Sequence, residues 1–169
     1  MEVLETRLKP VLLITPHIFE DFRGYFVETY NEELYKKNGI SINFVQDNIS
    51  VSRKNVLRGI HGDPETWKLV YCSRGEIYSV VVDCREESEN FGEYESFDLT
   101  EKNMHQLVVP PGFGLSYLVL SDWAALNYKQ STYYNPDVLK QFTYKYDDSR
   151  FGIKWPINNP ILSERDKNG

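Results

Sequence analysis

A chain of 169 residues without a break in composition fits one unit spanning residues 1–169, long enough to bury a core. Its net charge of −6 excludes a general nucleic-acid binder, which needs a basic face, and leaves open a phosphate-bearing small ligand where a few Arg and Lys converge. No apolar run approaches the roughly 20 residues that span a bilayer, and the opening MEVLETRLKP carries no apolar signal segment, so no membrane role is expected.

Val11 to Thr15 reads as a short strand closed by Pro16, and Phe19 to Tyr30 as two strands about a polar turn at Arg23 and Gly24. In the second of these, Phe26 and Glu28 share one face. Asn31 to Asn38 has a capping Asn, early acids, late lysines and Gly39 beyond its end, the pattern of one short helix, the only good one in the chain. Ser41 to Ser52 alternates, placing Phe44, Gln46, Asn48 and Ser50 on one side; amides on a strand face can bind a ligand or hold a loop.

Val56 to Lys68, VLRGIHGDPETWK, is the most chemically dense stretch. Gly59 permits a turn or a close approach, and Ile60 and His61 point to opposite faces, so that Arg58 and His61 reach a pocket mouth with Lys68 returning on the next strand. His61 is either a proton acceptor or an ordinary half-buried strand histidine. Lys68 to Cys72 and Glu76 to Cys84 flank Ser73-Arg74-Gly75, read as a hairpin. Val80 to Val82 is the continuous β-branched run of a strand between two layers. Tyr94 to Leu99 and Gln106 to Val109 follow, the latter ending in Pro-Pro-Gly, then a strand pair within Tyr117 to Lys129. Further short strands are expected within Lys140 to Tyr146 and Gly152 to Trp155. Cys72 and Cys84, the only cysteines, lie in apolar runs and read as buried free thiols in a reducing cytoplasm.

Roughly ten or more short strands and one helix are the signature of a sandwich or jelly roll with a cavity for the polar inward residues. His17, His61 and His105 form no His-x-His pair, so no metal site is expected. The chain has neither a Gly-x-Ser-x-Gly elbow nor a Gly-rich phosphate loop. Acid/base work by His61 with an orienting carboxylate, Tyr128 and Lys68 remains, although a lone Tyr in a β protein usually packs.

FEDFRGYFVE, FVQDNISVS, VLRGIHGD, KLVYCSRGEIYSVVVDCR, LVVPPGFG, LNYKQSTYYNP and WPINNPILSERD occur in the order of the dTDP-4-dehydrorhamnose 3,5-epimerase family, which the chain resembles over nearly its whole length. HGD and PPGFG make it most similar to epimerases of nucleotide-linked 4-keto-heptoses, GDP-linked ones of capsule biosynthesis. The resemblance implies an all-β, cupin-like double-stranded β-helix or jelly roll with a C-terminal extension, working as a homodimer with no cofactor. It makes His61 the base, Asp166 the carboxylate that orients it, Tyr128 the opposing proton donor and Lys68 the contact to the 4-keto oxygen. Phe19, Arg23, Phe26, Glu28, Gln46, Asn48 and Arg58 match positions that hold the nucleotide, diphosphate or sugar, some of them across a dimer.

Two residues depart from the pattern: Leu115 stands where the family has a second His, and Ser79 where it has an acid. The His61–Lys68 loop is also short. The implied activity is inversion at C3, C5 or both of an NDP-4-keto-hexose or heptose. A non-catalytic sugar-nucleotide binding module and a 3,4-ketoisomerase are the alternatives.

Overall fold

The computed structural model describes residues 1–135 and 140–169. In chain order the strands are β1 (Glu2–Glu5), β2 (Leu12–Thr15), β3 (Ile18–Asp21), β4 (Gly24–Val27), β5 (Gln46–Arg53), β6 (Leu57–Gly62) and β7 (Lys68–Arg74). They continue as β8 (Glu76–Asp83), β9 (Tyr94–Thr100), β10 (Gln106–Val109), β11 (Phe113–Val119), β12 (Trp123–Gln130) and β13 (Phe142–Thr143). Helix α1 (Glu32–Lys37) follows β4, and α2 (Glu164–Asn168) ends the chain.

One sheet has the order β1-β2-β10-β7-β12-β5 and the other β13-β6-β11-β8-β9; β3 and β4 form a separate hairpin. Consecutive strands repeatedly change sheet, at residues 54–56, 63–67, 110–112 and 120–122, which makes the fold an antiparallel jelly roll of the cupin type.

Alternation decides what lies between the sheets. Val70, Cys72, Leu107, Val109, Ile77, Val81 and Tyr117 point inward and form the central core. The opposite faces are covered as well. Leu69, Val108 and Ile14 pack with Tyr35 of α1, and Val80 and Val82 with Ile60 and Phe151. Val80, Val81 and Val82 are therefore all fully buried, which is why that run does not alternate with polar residues. Each such side chain contributes about 1.5–3 kcal/mol.

Asn31 caps α1, its side chain accepting the Leu34 N–H at 3.2 Å, and the buried Tyr35 hydroxyl donates to the Gln106 amide oxygen of β10. The cysteines are buried free thiols, and burial raises their pKa values to about 11 for Cys72 and about 12 for Cys84. Among the described residues no helix is long and apolar enough to cross a membrane.

Several local expectations need correction. Ser73-Arg74-Gly75 is not a hairpin, because β7 and β8 lie in different sheets; local turn chemistry does not show which sheet each arm joins. Tyr117 to Lys129 likewise divides between β11 and β12, one in each sheet. Residues 41–45 precede the strand that begins at Gln46, Gly152 to Trp155 packs as irregular chain, and only Phe142 and Thr143 are strand within 140–146. Helix α1 is not the only helix, since Ser163 starts α2.

Gly75 is the corner between β7 and β8. Its φ is +76°, and a Cβ there would collide with the Trp123 carbonyl oxygen and the Ser121 hydroxyl. Gly75→Ala is expected to destabilise the fold by about 2 kcal/mol or more, read as a lower urea midpoint with an unchanged slope.

Candidate active site

Polar inward residues gather at one end of the roll. In the register of the larger sheet, Lys68 lies beside Gln130, Gln130 beside Gln46, and Tyr128 beside Asn48, while the apolar inward residues occupy the other end. The opposite sheet brings Arg58, His61, Leu115 and Tyr117 to the same opening, and the C-terminal segment adds Ser163, Arg165 and Asp166. Together they line a cavity of about 340 Å³. A larger hollow of about 680 Å³ lies against Pro10, Leu12, Ile42, Trp67 and Val108, and its charged groups, Glu5 and Lys9, pair with each other at 2.7 Å. The titratable chemistry is in the smaller one.

His61 is held by a residue far along the chain. Its Nε2 lies 2.6 Å from Oδ1 of Asp166, whose side chain is almost wholly buried. A carboxylate only accepts, so Nε2 carries the proton and Nδ1 is left as the basic nitrogen. Ser163 caps α2, accepting the Asp166 N–H at 3.2 Å, and its hydroxyl donates to Asp166 Oδ2 at 2.7 Å. The tail reaches this place because Ile161 pairs in parallel with Val56, beside the start of β6. Gly59, at φ +106°, lets β6 lie against Leu115 and Ser116, where a Cβ would not fit, and its N–H donates to Asp166 Oδ1 at 3.4 Å.

The electrostatics give each group a defined state. Burial pushes the His61 pKa below its usual 6.5 despite Asp166, and Arg165 and Lys68 act in the same direction. Burial also lowers the Lys68 pKa, against the pull of Asp63, and raises that of Tyr128. At neutral pH the cavity thus holds a neutral imidazole and a protonated phenol beside a lysine whose charged form burial disfavours. Among the described residues nothing hydrogen-bonds the Lys68 ammonium or the Tyr128 hydroxyl.

Of the other expected site residues, Arg58 lines the cavity and its Nε donates to Ser52 at 2.9 Å, while among the described residues its guanidinium tip makes no other hydrogen bond. Gln46 and Asn48 sit one step back, both donating to Gln130 Oε1, at 3.4 and 2.8 Å. Phe19, Arg23 and Phe26 are on the β3–β4 hairpin, around a different hollow, and Glu28 is exposed just beyond it. They do not join His61 within one chain, because β3 and β4 pair only with each other. Leu115 stands opposite His61 across β6 and β11, and Ser79 is buried with its hydroxyl on the Ser116 carbonyl, outside the cavity lining.

Arg165, Ser163, Gln130 and Tyr117 are cavity residues that the sequence reading missed. Ser163-Glu164-Arg165-Asp166 is a helix-capping spacing that could have revealed the first two. Among the described residues no group of three or more His, Cys, Asp or Glu is placed to hold a metal.

A jelly roll whose mouth carries this set of proton-handling groups is a cupin-type enzyme. The family model for dTDP-4-dehydrorhamnose 3,5-epimerase matches residues 5–169. The enzyme of that name from Methanothermobacter thermautotrophicus is 39% identical over 170 residues, covering 98% of this chain and 91% of that one. The Salmonella typhimurium enzyme is 40% identical over 171 residues, 98% and 92% of the two chains. The crystal structure of a Legionella pneumophila 3,5-epimerase in complex with dTDP-4-keto-L-rhamnose superposes with TM-score 0.91 at 36% identity, covering 98% and 89%. That of ChmJ, a 3'-monoepimerase from Streptomyces bikiniensis in complex with dTDP-quinovose, gives 0.89 at 31%, covering 96% and 84%.

The chain belongs to the dTDP-4-dehydrorhamnose 3,5-epimerase family. It is an isomerase, an epimerase of nucleotide-linked 4-keto sugars. Replacing Asp166 by Asn keeps the shape and removes the charge behind the imidazole. Asp166→Asn is expected to lower kcat/KM by roughly a hundredfold or more while the protein still folds, measured by steady-state kinetics beside a thermal melt.

Proposed function

We propose that His61 removes a proton from a carbon beside the 4-ketone, Lys68 stabilises the enolate oxygen, and Tyr128 returns a proton to the opposite face. The ketone acidifies its neighbouring C–H bonds, so a base near neutral pKa suffices once the developing negative charge has a cation to meet. The observation that carries this reading is Lys68. Its side chain is half-buried at the cavity wall, with no hydrogen bond or ion pair among the described residues, and shares that cavity with His61 and Tyr128. An amine left unpaired in such a place is free to meet the developing enolate oxygen, and that negative charge in turn favours its protonated form.

Inversion follows when acceptor and donor stand on opposite faces of the ring, at C3, C5 or both. Arg58 and Arg165 offer two guanidinium groups to the diphosphate of a substrate entering an otherwise acidic protein. The Gln46–Asn48–Gln130 amides serve as neighbouring hydrogen-bonding groups. The substrate is an NDP-4-keto-hexose or heptose, and HGD and PPGFG support the GDP-linked 4-keto-heptose.

The working unit in this reading is a homodimer. Phe19 and Phe26 are 57% and 67% exposed, among the described residues Arg23 forms an ion pair only with Asp21, at 2.6 Å, and the hairpin is separate from both sheets. Such aromatic faces suit stacking on a nucleotide base held by the partner subunit, with Arg23 and Glu28 alongside.

Given GDP-linked and dTDP-linked 4-keto sugars side by side in D2O, the enzyme is expected to install deuterium beside the ketone, fastest with the GDP-linked keto-heptose, and His61→Ala is expected to install none. Product NMR reads both outcomes and separates inversion from a carbonyl shift. No exchange with any of these sugars would sink the mechanism.

For the hairpin, Arg23→Ala and His61→Ala proteins, each nearly inactive, are refolded together. Mixed dimers then contain one intact site in half of the molecules, and about a quarter of wild-type activity should return. A hairpin serving its own chain would restore nothing.

A further inference from the structure

The chain that leaves β12 borders the cavity, and its first residues are tied to the turn between β6 and β7. Ser131 N–H donates to the Trp67 carbonyl at 3.0 Å, the Ser131 hydroxyl accepts Trp67 N–H at 2.9 Å, and the Thr66 and Thr132 hydroxyls meet at 2.7 Å. Two residues further on, Tyr134 forms part of the cavity wall with His61, Lys68 and Tyr128 while remaining 53% exposed. Its backbone N–H donates to Gln46 Oε1 at 2.8 Å, the one hydrogen bond of residues 133 and 134 among the described residues.

The rest of the Gln46 amide is also taken. Its Nε2 donates to Asn48 Oδ1 at 2.9 Å and to Gln130 Oε1 at 3.4 Å, and Gln130 Oε1 accepts Asn48 Nδ2 as well, at 2.8 Å. Of these three amides Gln130 lines the cavity, and Gln46 and Asn48 stand behind it. Gln46 thus has its amide hydrogens and its oxygen engaged within the chain, outside the cavity lining. Any contact from that amide to a ligand would first break one inside the chain.

We propose that Gln46 is a positioning residue, fixing the backbone of Tyr134 so that the phenol ring forms the outer wall against which the sugar of the substrate packs. Tyr134 touches the substrate, and Gln46 acts through it. The proposal rests on the reading that the sugar occupies the His61 cavity. An aromatic ring offers a flat apolar face to the C–H groups of a sugar. Such a wall holds ground state and transition state alike, so its loss registers in KM and leaves kcat nearly unchanged.

The test is a double-mutant cycle read in KM and kcat, on whichever of the GDP-linked and dTDP-linked 4-keto sugars exchanges faster, beside a thermal melt of each protein. Tyr134→Ala should raise KM about tenfold, and Tyr134→Phe, which keeps the ring, should stay near the wild type. Gln46→Ala removes one hydrogen bond and should raise KM about fivefold with kcat little changed. The double variant should be no worse than Tyr134→Ala, about tenfold, because the second change removes a support whose load is already gone.

KM effects that multiply in the double variant overturn the proposal, since Gln46 would then act on the substrate by its own contact. So does a folded Gln46→Ala that melts earlier with an unchanged KM, a Tyr134→Ala enzyme with the wild-type KM, or a Tyr134→Phe as poor as Tyr134→Ala. Should Gln46→Ala fail to fold, Gln46→Met, of similar volume and without the amide, makes the same comparison; if neither folds, Gln46 is a structural strut only and the proposal falls. A fully active His61→Ala would be a separate failure, that of the assignment of the cavity to the sugar.

Discussion

The contact between His61 and Asp166 joins residues 105 apart in the chain, and the cavity depends on it. A half-buried imidazole by itself has two accessible tautomers and several orientations. The Asp166 carboxylate selects one, because it accepts from Nε2 and leaves Nδ1 basic. That carboxylate is in turn fixed by the Ser163 hydroxyl, the Gly59 N–H and the first turn of α2. The C-terminal segment is therefore part of the cavity, and its pairing beside β6 carries Asp166 to His61.

The jelly roll supplies the rest through strand alternation. Inward residues of β7 and β12 are apolar over one part of the sheet and polar over the other, and those of β5 are polar throughout, so one end is a packed core and the other an open mouth. Ser50 meets the Tyr117 hydroxyl at 2.9 Å, and Arg58 meets Ser52 at the same distance, tying the two sheets together beside the cavity. Low local dielectric then does the electrostatic tuning. It favours the neutral imidazole and phenol and makes the Lys68 charge depend on its neighbours.

Similar folds in the family carry chemistry at different carbons, as a 3,5-epimerase and a 3'-monoepimerase superpose on this chain almost equally well. The fold alone therefore does not fix which carbon is inverted. Leu115 opposite His61 gives the cavity wall an apolar patch beside the imidazole. Its side chain offers no hydrogen bond, and among the described residues the imidazole is hydrogen-bonded by Asp166.

By itself the sequence determined the strand-rich class, the capped helix at 32–37, the continuous Val80–Val82 strand and the dense His61 stretch, because these are signals of period, capping and composition. The seven ordered motifs made the family legible as well. Tertiary structure alone decided which sheet each strand joins, since Gly75 turns the chain between layers in residues that look like a hairpin. It also decided that Arg165, Ser163 and Gln130 share the cavity with Lys68, and that Phe19, Arg23 and Phe26 lie on a hairpin apart from it. Local propensity acts over a few residues, whereas a site made from strand ends and a chain terminus depends on contacts between segments a hundred residues apart.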